Sequence, residues 1–282
     1  MAFQQIRLTI GSNEYESVCE TLDALGALSI TLMDAEDNPI FEPEPGTQPL
    51  WEKAILLALF DDKADLKNYA VEIIEDKIWQ RECMDQFHPM RFGENLWICP
   101  SWHEINEPNA VIIKLDPGLA FGTGSHSTTK LCLTWLATHD IKNKIVLDYG
   151  TGSGILAIAA MKLGAKKVYA VDIDTQALQA VEENAAHNNV DIQACTPDKL
   201  PDIQADVIIA NILANPLISL APKISSYLNK TGKLVLSGLL VSQIDEVKHA
   251  YEPEIIFDTP VVDEDWVRLS GTRSSVIIKP ER

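Results

Sequence analysis

Apolar and polar positions along the first eighty residues change period several times. Phe3, Ile6, Leu8 and Ile10 mark a strand over residues 3–10, and Val18, Leu22 and Leu25 recur on one face of a helix over 13–25. Ser29 to Met33 make a second strand. Four prolines and several acids between Asp34 and Pro49 read as a loop. Ile55 to Phe60 form a third apolar run, and Asp61-Asp62-Lys63-Ala64 begins a helix reaching about Asn68. Ile73, Ile74 and Ile78 continue the pattern, with room for a closing strand. This order predicts a small α+β unit of the split ferredoxin-like kind over residues 1–80.

From Val111 the pattern becomes a regular alternation of strands and helices. Buried strands are predicted at Val111–Leu115, Ile145–Leu147, Lys167–Val171, Asp191–Ala194, Asp206–Ala210 and Leu234–Leu239. Helices are predicted from Ser127 or Thr128, either able to cap, to about His139, then from the glycine turn through Leu163. Three more follow at Thr175–Asn188, Leu217–Leu228 and Val241–Tyr251. Glu254–Phe257, Trp266–Leu269 and Ser275–Ile278 close the chain as strands. The last two are separated by Ser270-Gly271-Thr272-Arg273 and read as an antiparallel hairpin. Short connections and steady alternation define a doubly wound, mostly parallel Rossmann-like sheet over residues 111–282. Between the two regions, residues 81–110 form a junction: Trp79, Trp97 and Trp102 lie close together, and His88-Pro89 and Cys99-Pro100 break the chain.

Composition narrows the class. A chain of 282 residues with 46% hydrophobic content can bury one or two cores. No apolar run approaches the roughly 18 residues of a membrane span, and Arg7 is not followed by an apolar region with a cleavage site, so a cytoplasmic location is expected. Cys19, Cys83, Cys99, Cys132 and Cys195 include no CxxC pair, which argues for a reducing compartment and against a metal cluster. The net charge is −18, and residues 1–100 carry 19 acidic against 7 basic residues, two-thirds of the excess. Such a surface repels nucleic acid and attracts a basic partner; as a plain alternative, it keeps the protein soluble.

Candidate chemistry converges on the carboxyl edge of the C-terminal sheet, where open α/β sheets bind ligands. The run Asp148-Tyr149-Gly150-Thr151-Gly152-Ser153-Gly154 follows a strand and opens a helix. Its glycines fall at relative positions 0, 2 and 4, whereas a dinucleotide turn uses 0, 2 and 5; Ile155 stands at the last place. This favours an adenosine-bearing ligand without a pyrophosphate. Gly150 and Gly152 permit its close approach, and Asp172, 22 residues after Gly150, is placed to bind two ribose hydroxyls. Asn211 emerges directly from Val207-Ile208-Ile209-Ala210, and the loop Gly118–Thr129 adds three glycines and several hydroxyls. No Gly-Lys-Ser/Thr ending of a phosphate-binding loop is present. Order and spacing together point to S-adenosylmethionine.

The runs Leu115-Asp116-Pro117-Gly118-Leu119-Ala120-Phe121-Gly122-Thr123-Gly124-Ser125-His126-Ser127-Thr128-Thr129, Gly150–Ala159 and Ala210-Asn211-Ile212-Leu213-Ala214 resemble the ribosomal protein L11 methyltransferase family. Phe87–Gly93 and Leu96–Trp102 resemble its junction region, so the likeness spans essentially the whole chain. It implies a class I methyltransferase fold and S-adenosylmethionine-dependent methylation of the N-terminal α-amine and lysine ε-amines of L11, carried to trimethylation. It also implies recognition of L11 by the N-terminal domain. By motif, Thr129, Gly150, Asp172 and Asn211 match donor-contacting positions. Thr151, Ser127 and Thr175 depart from the cysteine, proline and proline common in the family, in ways compatible with tight turns and helix starts.

Direct displacement at a sulfonium methyl needs no metal and no covalent intermediate, so positioning is the enzyme's main work. Asn211 can orient the amine or the donor. His126 is the candidate proton acceptor, with a structural or donor-contact role as its alternative, and water is the favoured proton sink. A monomer is expected. Rival readings are a methyltransferase acting on another protein or small amine, a nicotinamide dehydrogenase, which the glycine spacing disfavours, and a non-catalytic interaction protein.

Overall fold

A computed structural model describes residues 2–36, 50–75, 87–116 and 124–274, in two compact units, Met1–Glu82 and Cys83–Arg282. The N-terminal unit contains β1 (Ala2–Gly11), α1 (Tyr15–Ala24), β2 (Ser29–Asp34), β3 (Lys53–Asp61) and β4 (Val71–Glu75). Its sheet has the order β2-β3-β1-β4 with antiparallel neighbours. Alternation puts Ile6 and Ile10 of β1 and Ala54, Leu56, Ala58 and Phe60 of β3 into one core with Leu22 of α1. Leu25, expected on the buried helix face, is the exposed C-cap of α1. The helix expected from Asp61 to Asn68 does not form; the chain there makes turns. Asp61 Oδ1 accepts the Lys63 amide at 3.1 Å, the local competition by which aspartate favours turns. Gln4 Nε2 donates to the carbonyls of Asp61, Asp62 and Ala64, which a helical ladder would have needed.

In the second unit, β5 (Met90–Phe92), β6 (Leu96–Cys99) and β7 (Val111–Lys114) form a small sheet. Phe92, Leu96, Ile98 and Ile113 are buried in one core with Leu133 and Ile158, so the described part of the expected junction is built into this unit. The main sheet comprises β8 (Ile145–Tyr149), β9 (Lys167–Val171), β10 (Gln193–Cys195), β11 (Ala205–Asn211), β12 (Leu228–Leu240), β13 (Ile255–Phe257), β14 (Val261–Asp263) and β15 (Trp266–Arg273). Its order is β10-β9-β8-β11-β12-β15-β13, with β14 paired to β15. The first five are mutually parallel, while β15 runs antiparallel to β12, β13 and β14. The helices are α2 (Ser127–Thr138), α3 (Ile155–Lys162), α4 (Thr175–His187), α5 (Ala214–Ser219), α6 (Ala221–Ser226) and α7 (Ile244–Tyr251).

Consecutive strand residues feed opposite cores. Val146, Ile209 and Val235 face the core shared with α2 and α3, whereas Leu147, Ile208 and Leu236 face Leu217, Ile224 and Val247 of α5, α6 and α7. Burial on both faces is why these strands read as continuous apolar runs.

Two expectations change in this unit. The single helix over 217–228 is two short helices, α5 and α6, because Pro222 has no amide to continue the ladder. The closing hairpin also lies elsewhere. Ser270–Arg273 continues β15 opposite β12, and the tight turn is Glu264-Asp265, between β14 and β15. Gly271 permits close approach, since a Cβ there would lie 2.7 Å from Ile255 Cγ2 and Ile256 O. The predicted strand Ser275–Ile278 lies outside the described residues.

Candidate active site

After β8 the chain steps outward to β9 and β10, then returns to the other side of β8 as β11. The crevice at this reversal, beyond the strands' carboxyl ends, collects the chemistry-bearing residues. Gly150, Gly152 and Gly154 all have positive φ (+77°, +54° and +80°), which is why the turn after β8 is built from glycine. The amides of Gly150 and Thr151 donate to Val171 O at 2.7 and 3.0 Å, tying the turn to the end of β9. Helix α4 holds its far side. Asn184 Nδ2 donates to Ser153 O at 2.8 Å, and Val181 packs where a Cβ on Gly154 would fall.

Asp172 follows β9 directly. Its Oδ2 accepts the Gly152 amide at 2.9 Å and its Oδ1 the Asp174 amide at 3.0 Å. A carboxylate has about four lone-pair sites, so each oxygen retains capacity for a ligand hydroxyl. Asp148 lies beneath the turn, fully buried. Its Oδ2 accepts from Thr151 Oγ1 at 2.7 Å and from the Ala157 amide at 3.1 Å, while Oδ1 is buried without a hydrogen-bond partner. Burial pushes its carboxyl up to about 7, against the opposing pull of those two hydrogen bonds. In the sequence this acid only marks the start of the glycine run; its two hydrogen bonds are local to the turn and helix that follow, and its burial comes from tertiary packing.

The other wall comes from α2 and the end of β11. Thr129 is buried, and Asn211 Nδ2 donates to its Oγ1 at 3.3 Å, joining residues 82 apart in sequence. Ile212 lies between two glycines of neighbouring strands. A Cβ on Gly150 would fall 2.1 Å from Ile212 Cγ2, and one on Gly238 2.3 Å from Ile212 O. These absences of side chain let Asn211 and the glycine turn approach each other. His126, not Ser127 or Thr128, is the N-cap of α2: its Nδ1 accepts the Thr128 amide at 3.3 Å and lies 2.8 Å from Thr128 Oγ1. Its ring meets Trp266 edge-on at 5.0 Å. Residues 118–123 of the glycine-rich loop lie outside the described residues.

Gly150, Gly152 and Asp172 thus form one wall, and Thr129 with Asn211 the other, with Ile212 packed where they meet. None of these residues is basic, which suits a ligand without phosphate. The glycine-built turn and the carboxylate beside it suit an adenosine. Among the described residues, no group of three or more His, Cys, Asp or Glu side chains is arranged to hold a metal ion, and no helix is long and apolar enough to cross a membrane.

A mostly parallel sheet of this order, with its glycine turn and acid at the switch point, defines a Rossmann-like methyltransferase domain. The family model of the ribosomal protein L11 methyltransferase matches residues 2–274. A relative of that description from Pseudomonas fluorescens (strain SBW25) is 49% identical over 292 residues, covering 97% of this chain and 100% of the relative. Another, from Alteromonas mediterranea, is 46% identical over 291 residues, with the same coverage of both. The crystal structure of a ribosomal protein L11 methylase from Lactobacillus delbrueckii subsp. bulgaricus superposes with a TM-score of 0.62 at 39% identity, covering 66% of this chain and 99% of that one. The chain belongs to the ribosomal protein L11 methyltransferase family.

Proposed function

We propose that this enzyme transfers methyl groups from S-adenosylmethionine to the N-terminal α-amine and lysine ε-amines of ribosomal protein L11, carried to trimethylation. The observation that carries the reading is the convergence of Gly150, Gly152 and Asp172 with the Thr129–Asn211 pair at one sheet edge. When bound, S-adenosylmethionine supplies a methyl carbon made electrophilic by its sulfonium. In this reading Asp172 binds the ribose hydroxyls, the bare turn at Gly150 and Gly152 admits the adenosine, and Thr129 holds the donor. Asn211 orients the donor or the incoming amine through its amide.

The attacking nitrogen must be neutral. At pH 7 an α-amine with a reference pKa of about 7.7–8.0 needs only about 1 kcal/mol to lose its proton, whereas a lysine near 10.4 needs over ~4 kcal/mol. Desolvation in the crevice lowers that cost, most usefully for lysine. No side chain is required as a strong base. His126 Nδ1 is engaged in capping α2, which supports water as the proton acceptor. The acidic N-terminal domain recognises the substrate, while the second unit, with the described part of the junction built into its core, transfers the methyl group. The protein acts in the cytoplasm as a monomer, without metal or nucleic acid.

The test is to incubate the protein with labelled S-adenosylmethionine and ribosomal proteins, then map the label by mass spectrometry. Label on the N-terminus and lysines of L11 is expected. Label confined to another protein would overturn the substrate, and no label on any amine would overturn the activity.

A further inference from the structure

The β14–β15 hairpin, absent from the sequence reading, ends at the same sheet edge as the donor crevice. Asp263 pairs with Trp266 across its two-residue turn, Trp266 pairs with Leu240 at the end of β12, and the Val241 amide donates to Asp265 O at 3.1 Å. The tip therefore sits on a rigid strand end. Four described non-glycine residues have positive φ; three are asparagines, which tolerate that conformation, and the fourth is Glu264 at +56°. A glutamate at a turn position that favours glycine carries a backbone cost that contacts of its side chain can offset. Its Oε2 accepts a hydrogen bond from Ser127 Oγ at 3.2 Å. Ser127 is the first residue of α2, two before Thr129, whose hydroxyl accepts from Asn211. Beside it, the Trp266 indole meets the ring of His126, the cap of the same helix. Two independent contacts thus join the hairpin tip to the first turn of α2, and that turn carries one wall of the crevice.

We propose that Glu264 is a positioning residue of this site, acting through Ser127 to hold the first turn of α2 so that Thr129 meets Asn211 and the bound donor. Trp266 supports the same turn through His126. The inference rests on the donor site assigned above. Holding a contact within about 0.5 Å of its productive place needs such a supporting layer, and a misplacement of about 1 Å can cost up to ~100-fold.

The test is a double-mutant cycle read as S-adenosylmethionine affinity by calorimetry, with melting temperature as the check on folding. Glu264→Ala and Ser127→Ala are each expected to weaken donor binding about tenfold, and the double variant no more than either alone, because both break one link. Glu264→Gln, whose amide oxygen still accepts from Ser127, is expected to recover most of the loss. With L11 as substrate, kcat is expected to fall in step with affinity. An affinity for Glu264→Ala within about twofold of the parent, or losses that multiply in the double variant, overturns the proposal. Because calorimetry needs no protein substrate, failure of the parent enzyme to methylate L11 would count against the function proposed above and leave this cycle decisive.

Discussion

Gly150→Ala probes the junction of the two walls of the crevice. The added Cβ would lie 2.1 Å from Ile212 Cγ2, far inside contact distance, on a backbone with φ +77°. The left-handed conformation alone costs an L-residue roughly 1–2 kcal/mol. Forcing Ile212 aside adds roughly 1–3 kcal/mol of overpacking, for a total loss of about 2–5 kcal/mol. Ile212 has little room to retreat, because its carbonyl already abuts the place where Gly238 lacks a side chain. The displacement therefore reaches Asn211, its chain neighbour, and donor binding should weaken together with stability. Urea denaturation, taken on the transition of the C-terminal unit, measures the first effect, and calorimetric titration with S-adenosylmethionine the second. Ile212→Ala in the same chain should relieve the clash but not the backbone strain. The double variant should then cost less than the sum of the singles by roughly 1–3 kcal/mol. A Gly150→Ala protein within about 0.5 kcal/mol of the parent, or strictly additive costs, would refute the account.

Asp172→Ala removes the acceptor of the Gly152 and Asp174 amides along with the ribose contact. Donor affinity should fall at least ~10-fold, since hydrogen bonds to charged groups contribute about 1.5–3 kcal/mol each; unchanged calorimetric affinity rules out the ribose role. Asp148 gives a pH signature. Its carboxyl titrates near 7 when folded and near ~3.9 unfolded, so between those values the folded state keeps a proton that the unfolded chain has released. Stability from this group is therefore complete below about pH 4 and declines as pH rises towards 7, by about 4 kcal/mol at most. Asp148→Asn keeps an acceptor for Thr151 and Ala157 and should flatten that slope in urea titrations from pH 5 to 8; a parallel slope would count against the assignment. If the acidic N-terminal third steers a basic substrate, kcat/KM for L11 should fall as ionic strength passes ~0.1 M while kcat holds. A flat salt profile refutes steering.

The sequence by itself determined the features that one strand, turn and helix contain. The apolar runs of β8, β9, β11 and β12, the glycine spacing of 150–154 and the place of Asp172 are local, because period and spacing act within about twenty residues. The family likeness was legible for the same reason, as short runs of fixed order. Only the tertiary structure decided what depends on which strands are neighbours. It joined Thr129 to Asn211 across 82 residues and put Ile212 between Gly150 and Gly238. It gave the cap of α2 to His126 rather than to either hydroxyl residue after it. Gly271 marks the difference most clearly. A glycine signals either a turn or the close approach of another chain segment, and the sequence alone favoured the turn at 270–273. Strand β13 lies against that position, so β15 runs on and the turn falls at Glu264. Local chemistry is written in order along the chain, whereas close approach is a property of partners that only folding brings together.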